Sequence, residues 1–96
     1  EYIVNIVEAT RYPERYELEM GKYIRWGASP RASIFLALAA RANALFEGRT
    51  FVKPDDVRNI AKDVLRHRII LTYEGRAKEI NTDDIVEEII QKVPVV

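Results

Sequence analysis

The chain has 96 residues, 48% of them hydrophobic, and its 15 basic and 15 acidic side chains cancel. At this length one small domain is expected, burying only ~60–65% of its unfolded surface. The absence of cysteine excludes structural disulfides and thiolate zinc sites, and a single histidine argues against a histidine-based metal site. Zero net charge speaks against a nucleic-acid partner held by charge alone.

No apolar run approaches the ~18–20 residues needed to span a membrane. No signal-like segment opens the chain. A soluble, cytoplasmic protein without a membrane partner is therefore the expectation. The chain starts without Met and already in helical register from Glu1, with Ile3, Ile6 and Val7 on one face and Thr10 continuing it. A helix that begins in mid-pattern suggests a fragment of a longer protein.

The first predicted helix runs to about Arg11, where Tyr12-Pro13 breaks it. An acidic connection with Glu14, Glu17 and Glu19 follows, and Tyr23-Ile24-Arg25-Trp26 reads as a short extended piece. The second helix is predicted from Pro30 to about Glu47, with Gly48 as the residue just past its end. Ser29 is the expected N-cap, and Pro30 suits the first helical position because its missing N–H would be unpaired there anyway. Phe35, Leu38, Ala39, Ala42, Leu45 and Phe46 form an apolar stripe at helical spacing, read as the buried face. Arg31, four residues before Phe35, starts the same stripe and is expected on the packed side, its stem lying along apolar surface.

The third helix starts near Pro54, with Asp55-Asp56 complementing its positive end. Val57, Ile60, Ala61, Val64 and Leu65 supply its face, and Arg66-His67-Arg68 falls in its last turn. Ile69-Ile70-Leu71 reads as extended, and Tyr73 to Glu79 as one short helical turn. The last helix is predicted from Thr82 as N-cap, with Ile85, Val86, Ile89, Ile90 and Val93 buried and Pro94 as its stop. The run Phe51 to Val57 echoes Glu79 to Ile85, which suggests a tiny ribbon pairing Val52 with Ile80. The fold class is all-α, a small bundle of four or slightly more helices with short β fragments.

Arg31 is the most informative position. A cation in the first turn of a helix faces the positive end of the dipole, at a cost of roughly 0.3–1 kcal/mol. An anion at that helix start would remove the conflict, and phosphates bind at such termini. The competing reading is a solvated surface arginine. His67 between two arginines reads as dipole complementarity at a helix end, and Asp55-Asp56 and Asp83-Asp84 as helix-start charge rather than metal ligands. Trp26 and Tyr23 read as core or edge aromatics in preference to a stacking surface. There is no G-x-x-x-x-G-K-[ST], no G-x-G-x-x-G and no G-x-S-x-G, so the 96 residues encode no complete catalytic machinery.

Several segments resemble the C-terminal lid domain of MoxR-type AAA+ ATPases, in order and over nearly the whole chain. They are Tyr2-Ile3-Val4 through Ala9-Thr10-Arg11, Gly27-Ala28-Ser29-Pro30-Arg31-Ala32, Phe51-Val52 through Asp55-Asp56-Val57, Val64-Leu65-Arg66-His67-Arg68-Ile69, and Asp84-Ile85-Val86. Residues 12 to 26 depart from the family pattern in being longer and more acidic. The resemblance implies a parent ATPase whose N-terminal core carries the Walker motifs and binds Mg-ATP, with this lid folding over the nucleotide. It implies that Arg31 is the sensor 2 arginine, catalytic only together with the core. Ser29 and Pro30 would lie beside the nucleotide, with Tyr2 and Ile6 near the adenine, and no metal would be held by the lid. It further implies a hexameric ring, chaperone-like remodelling of other proteins, and partners carrying a von Willebrand factor A domain. The alternatives are a small helical DNA-binding module, suggested by Arg66-His67-Arg68, and a helical protein-interaction bundle.

Overall fold

The computed structural model describes residues 2–95. Helix α1 spans Tyr2–Arg11 and ends at Tyr12-Pro13, because Pro13 has no N–H to continue the ladder. Two 3-10 turns, Pro13–Tyr16 and Glu19–Tyr23, fold the acidic connection back. The second turn is held by Glu88, whose carboxylate accepts the backbone N–H groups of Glu19 and Met20. Strand β1 (Ile24–Trp26) leads to α2 (Ala32–Phe46), α3 (Pro54–Leu65), β2 (Ile70–Leu71), α4 (Tyr73–Ala77) and α5 (Thr82–Lys92).

The core gathers where α1, α2, α3 and α5 meet. Ile6, Leu36, Leu65, Ile85, Val86 and Ile89 are its largest fully buried apolar side chains. The all-α expectation holds, with a two-stranded antiparallel ribbon added. That ribbon pairs Ile24 with Leu71 and Trp26 with Ile70, not Val52 with Ile80. Val52 is instead exposed at the α2–α3 connection. A shared local helix start in two segments does not bring them together; the ribbon forms where the chain returns past Tyr23, whose carbonyl accepts from the Thr72 N–H at 2.8 Å.

The second helix departs most from the sequence reading. Its buried face is Ala32, Leu36, Ala40 and Ala44, at i, i+4, i+8 and i+12. The predicted stripe faces outward: Phe35 is 41% exposed, Leu38 57%, Leu45 66% and Phe46 91%. The helix is apolar on two sides, and the side bearing small residues packs. Alanines let the backbone of α2 come close to its principal neighbour α3, whereas the bulky stripe would hold it away.

Helix ends are set by local chemistry. The α2 terminus closes as predicted at Gly48, where φ is +81°, a left-handed conformation that glycine adopts at little cost. The Arg49 N–H reaches the Ala44 carbonyl at 2.8 Å and the Gly48 N–H reaches Leu45 at 3.0 Å, the paired bonds of a Schellman motif. Helix α5 is capped one residue earlier than predicted, by Asn81, whose Oδ1 accepts the Asp83 N–H at 2.8 Å. Asp56 ties α2 to α3. Its fully buried carboxylate accepts two bonds from Arg49, one from the Asn43 amide and one from the Lys53 backbone N–H, all at 2.7 Å. The Arg49 guanidinium, the Lys53 N–H and the Asn43 amide hold this carboxyl well below the usual carboxylate range, against the opposing effect of burial.

Candidate functional site

The segment Gly27 to Ala32 carries the sequence-predicted residues, and its path is dictated by α1. The Thr10 hydroxyl is fully buried. It donates to the Val7 carbonyl at 2.6 Å and accepts the Ala28 N–H at 2.9 Å. Gly27 lies against the end of the same helix, so closely that an added Cβ would sit 2.1 Å from the Thr10 carbonyl oxygen. Ala28 and Ala32 are buried, and Ser29, Pro30 and Arg31 are strung exposed between them.

Ser29 does not cap α2 with its side chain. Its carbonyl accepts the Ala32 N–H at 2.9 Å, the Pro30 carbonyl accepts the Ser33 N–H at 3.1 Å, and the Arg31 carbonyl accepts the Ile34 N–H at 3.0 Å. The helix thus enters through a 3-10 turn, and Pro30 opens that turn instead of the α-helix. Arg31, at φ −62° and ψ −22°, is the last residue before regular α geometry. Its side chain is exposed and not laid along the packed side, because the stripe it was assigned to is itself outside.

The electrostatics of this helix start differ from those of α3 and α5. Helices α3 and α5 carry acids in their first turns, Asp55-Asp56 and Asp83-Asp84, whereas α2 carries none. No carboxylate among the described residues comes within ion-pair distance of Arg31, or of Arg11 and Arg25 nearby. An open hollow is lined by Arg11, Tyr12, Arg25, Trp26, Ser29 and Pro30, and a second by Val4, Glu8, Arg11, Pro30 and Ser33. Trp26, read as a core or edge aromatic, stands at the open edge of the ribbon and is 60% exposed, while Tyr23 is buried. Sequence reasoning did not bring Arg11 and Arg25 to this face; only the return of β1 past the end of α1 does so.

The other candidate residues are placed elsewhere. Ile6 has no exposed surface and belongs to the core. Tyr2 is half-buried and faces α3, lining a hollow with Ile3, Lys53, Pro54 and Val57. Its hydroxyl accepts from Arg58 Nε at 3.3 Å. These two residues are thus not gathered with Ser29, Pro30 and Arg31. Arg66 leaves the basic cluster at the end of α3: it forks onto Asp83 at 2.8 and 3.0 Å, which raises its own pKa and lowers that of Asp83. Arg68 stacks 4.5 Å above the Phe35 ring.

Compared with known families, residues 17–89 match the AAA lid domain. That match covers most of the chain, which therefore belongs to the AAA lid domain family. Its similar relatives include proteins named MoxR. Over 97% of its length it is 43% identical to the chaperone MoxR1 of Mycobacterium tuberculosis, covering 25% of that protein. It is 34% identical to the protein MoxR of Methylorubrum extorquens over 97% of its length, covering 29% of that relative. A crystal structure of an ATPase candidate from Cytophaga hutchinsonii superposes with a TM-score of 0.94 at 47% identity, over 99% of this chain and 29% of that one. The chain thus spans between a quarter and a third of the length of the proteins it matches. Among the described residues no helix is long and apolar enough to cross a membrane.

Proposed function

We propose that the chain is the nucleotide-sensing lid of a longer, cytoplasmic ATPase, in which an N-terminal core carries the Walker motifs and binds Mg-ATP. The observation that carries this reading is Arg31: exposed, without an ion-pair partner among the described residues, at a helix start that, unlike those of α3 and α5, lacks an acid in its first turn. Arginine suits the role because its planar fork matches phosphate oxygens bidentately. In phosphoryl transfer such a cation offsets charge spreading over the γ-phosphoryl oxygens. Ser29 and Pro30 would flank the phosphate chain, and the α2 dipole would add to the same field. Tyr2 would approach the base only by leaving Arg58. The lid would rotate with nucleotide state as a hinged body, within a hexameric ring, and pass that motion to other proteins. The chaperone designation of the mycobacterial relative supports a remodelling role, and partners with a von Willebrand factor A domain belong to the same proposal.

The test is ATP turnover by the full-length parent with Arg31→Ala. Loss of one preorganised charge on the transferring group lowers kcat by about a hundred- to a thousandfold, with the lid still helical by circular dichroism. Unchanged turnover would make Arg31 a solvated surface residue and end the sensing role. A second reading, a protein-interaction bundle, is favoured by the exposed Phe35, Leu38, Leu45 and Phe46 stripe. It expects binding of other proteins to depend on that stripe and turnover to ignore Arg31.

A further inference from the structure

We infer that Thr10 is a positioning residue for Arg31, fixing the segment from which Arg31 would reach the γ-phosphate. The inference rests on the sensing role proposed above. A threonine hydroxyl inside a helix commonly returns its proton to a carbonyl one turn back, and Thr10 does so to Val7 at 2.6 Å. What is uncommon is the use of its remaining lone pair. It accepts the N–H of Ala28 at 2.9 Å, across eighteen residues of sequence and in a fully buried setting.

That single bond ends the incoming connection three residues before Arg31. Beyond it the chain has one further fixed point, the fully buried Ala32, from which α2 proceeds. The exposed run Ser29-Pro30-Arg31 is a short bridge between these two anchors. Proline restricts φ in its middle, and the three carbonyls already accept from Ala32, Ser33 and Ile34. The bridge is therefore stiff, and its orientation is set by its ends. Glycine at position 27 is the complementary requirement, because only a residue without Cβ lets the chain pass Thr10 closely enough for the bond to form. Removing the acceptor leaves a buried Ala28 N–H unpaired, which favours lifting that end of the bridge toward water. A shift there carries to Arg31 while leaving the rest of α2 anchored through Leu36, Ala40 and Ala44.

Thr10→Val is nearly isosteric and removes the hydroxyl; Thr10→Ser keeps it. In the full-length parent the readout is the affinity for a non-hydrolysable ATP analogue divided by the affinity for ADP. Only the γ-phosphate distinguishes the two ligands, so a general loss of stability leaves the ratio alone. Thr10→Val is expected to lower the ratio by about three- to tenfold, the worth of one well-placed hydrogen bond. Thr10→Ser is expected to restore it, and Thr10→Val is expected to add nothing in the Arg31→Ala background. If Arg31→Ala lowers the ratio and Thr10→Val does not, or if Thr10→Val lowers it equally without Arg31, the positioning role is refuted while the sensing role stands. If Arg31→Ala leaves the ratio unchanged, both are refuted. Should Thr10→Val melt below the assay temperature, Thr10→Cys, whose thiol is only a weak acceptor, is read in its place with the same outcomes.

Discussion

Gly27→Ala tests the packing logic of the site by the smallest possible change. The added methyl would lie 2.1 Å from the Thr10 carbonyl oxygen, 2.4 Å from its carbon and 2.7 Å from the Arg11 nitrogen, all backbone atoms of α1. Ordinary contact begins at 3.4 Å. The two segments must separate by at least about 1.3 Å, the difference between 3.4 and 2.1 Å, since neither can rotate a side chain away. A separation of that size stretches the 2.9 Å bond between the Ala28 N–H and Thr10 Oγ1 beyond hydrogen-bond range. Overpacking costs about 1–3 kcal/mol and the broken buried bond about 1 kcal/mol more. The sum, about 2–4 kcal/mol, is a large share of the stability of a domain this small. At about 4–8 °C per kcal/mol, the melting midpoint should fall by at least about 8 °C. Thermal circular dichroism of the 96-residue chain measures it. A midpoint within about 2 °C of the unsubstituted chain would mean that the loop is not tied to α1 as described, and would remove the basis for the placement of Arg31.

The two faces of α2 predict opposite outcomes. Leu36→Ala, at a fully buried position, should cost about 2–5 kcal/mol in urea unfolding, whereas Phe46→Ser, 91% exposed, should stay within about 0.5 kcal/mol. The reverse result would restore the bulky stripe as the core. The acid limb of stability should belong to the carboxylates whose folded pKa values are lowered: Asp56 by Arg49, Asp83 by Arg66 and Glu87 by Lys62. A depressed folded pKa contributes stability above the unfolded value, so this contribution is fully present at neutral pH and declines as pH falls below about 4. Asp56→Asn should lower stability at pH 7 and flatten the acid limb of a pH series of melts; an unchanged slope would show that Asp56 does not carry it. Asn81→Ala should cost about 1 kcal/mol through loss of the α5 cap, and Thr82→Ala much less. Equal effects would return the cap to Thr82.

Local chemistry was legible in the sequence wherever it decides structure. Pro13, Pro54 and Pro94 bound helices because their rings permit no other continuation, and Gly48 ends α2 because the next turn needs a left-handed residue. The amphipathic faces of α3 and α5 were readable for a related reason. Each has one apolar side, so there is one way to bury it, and Val57, Ala61, Leu65, Ile85, Val86 and Ile89 are all inside. Arg31 could be singled out before any fold was known, since a cation at a helix start is a conflict visible in residue order alone.

Tertiary structure decided what sequence order leaves degenerate. Helix α2 is apolar on two sides, and periodicity ranks bulk where packing rewards close approach; only the proximity of α3 selects the alanine face and leaves Phe35, Leu38, Leu45 and Phe46 outside. The ribbon partner of β1, the bond between Thr10 and Ala28, and the burial of Ile6 in the core are long-range choices of the same kind. The chain by itself determined where helices begin and end, because those are contests among neighbouring backbone groups. Which face is buried, and which residues line the hollows beside Pro30, depended on how distant segments share one small core.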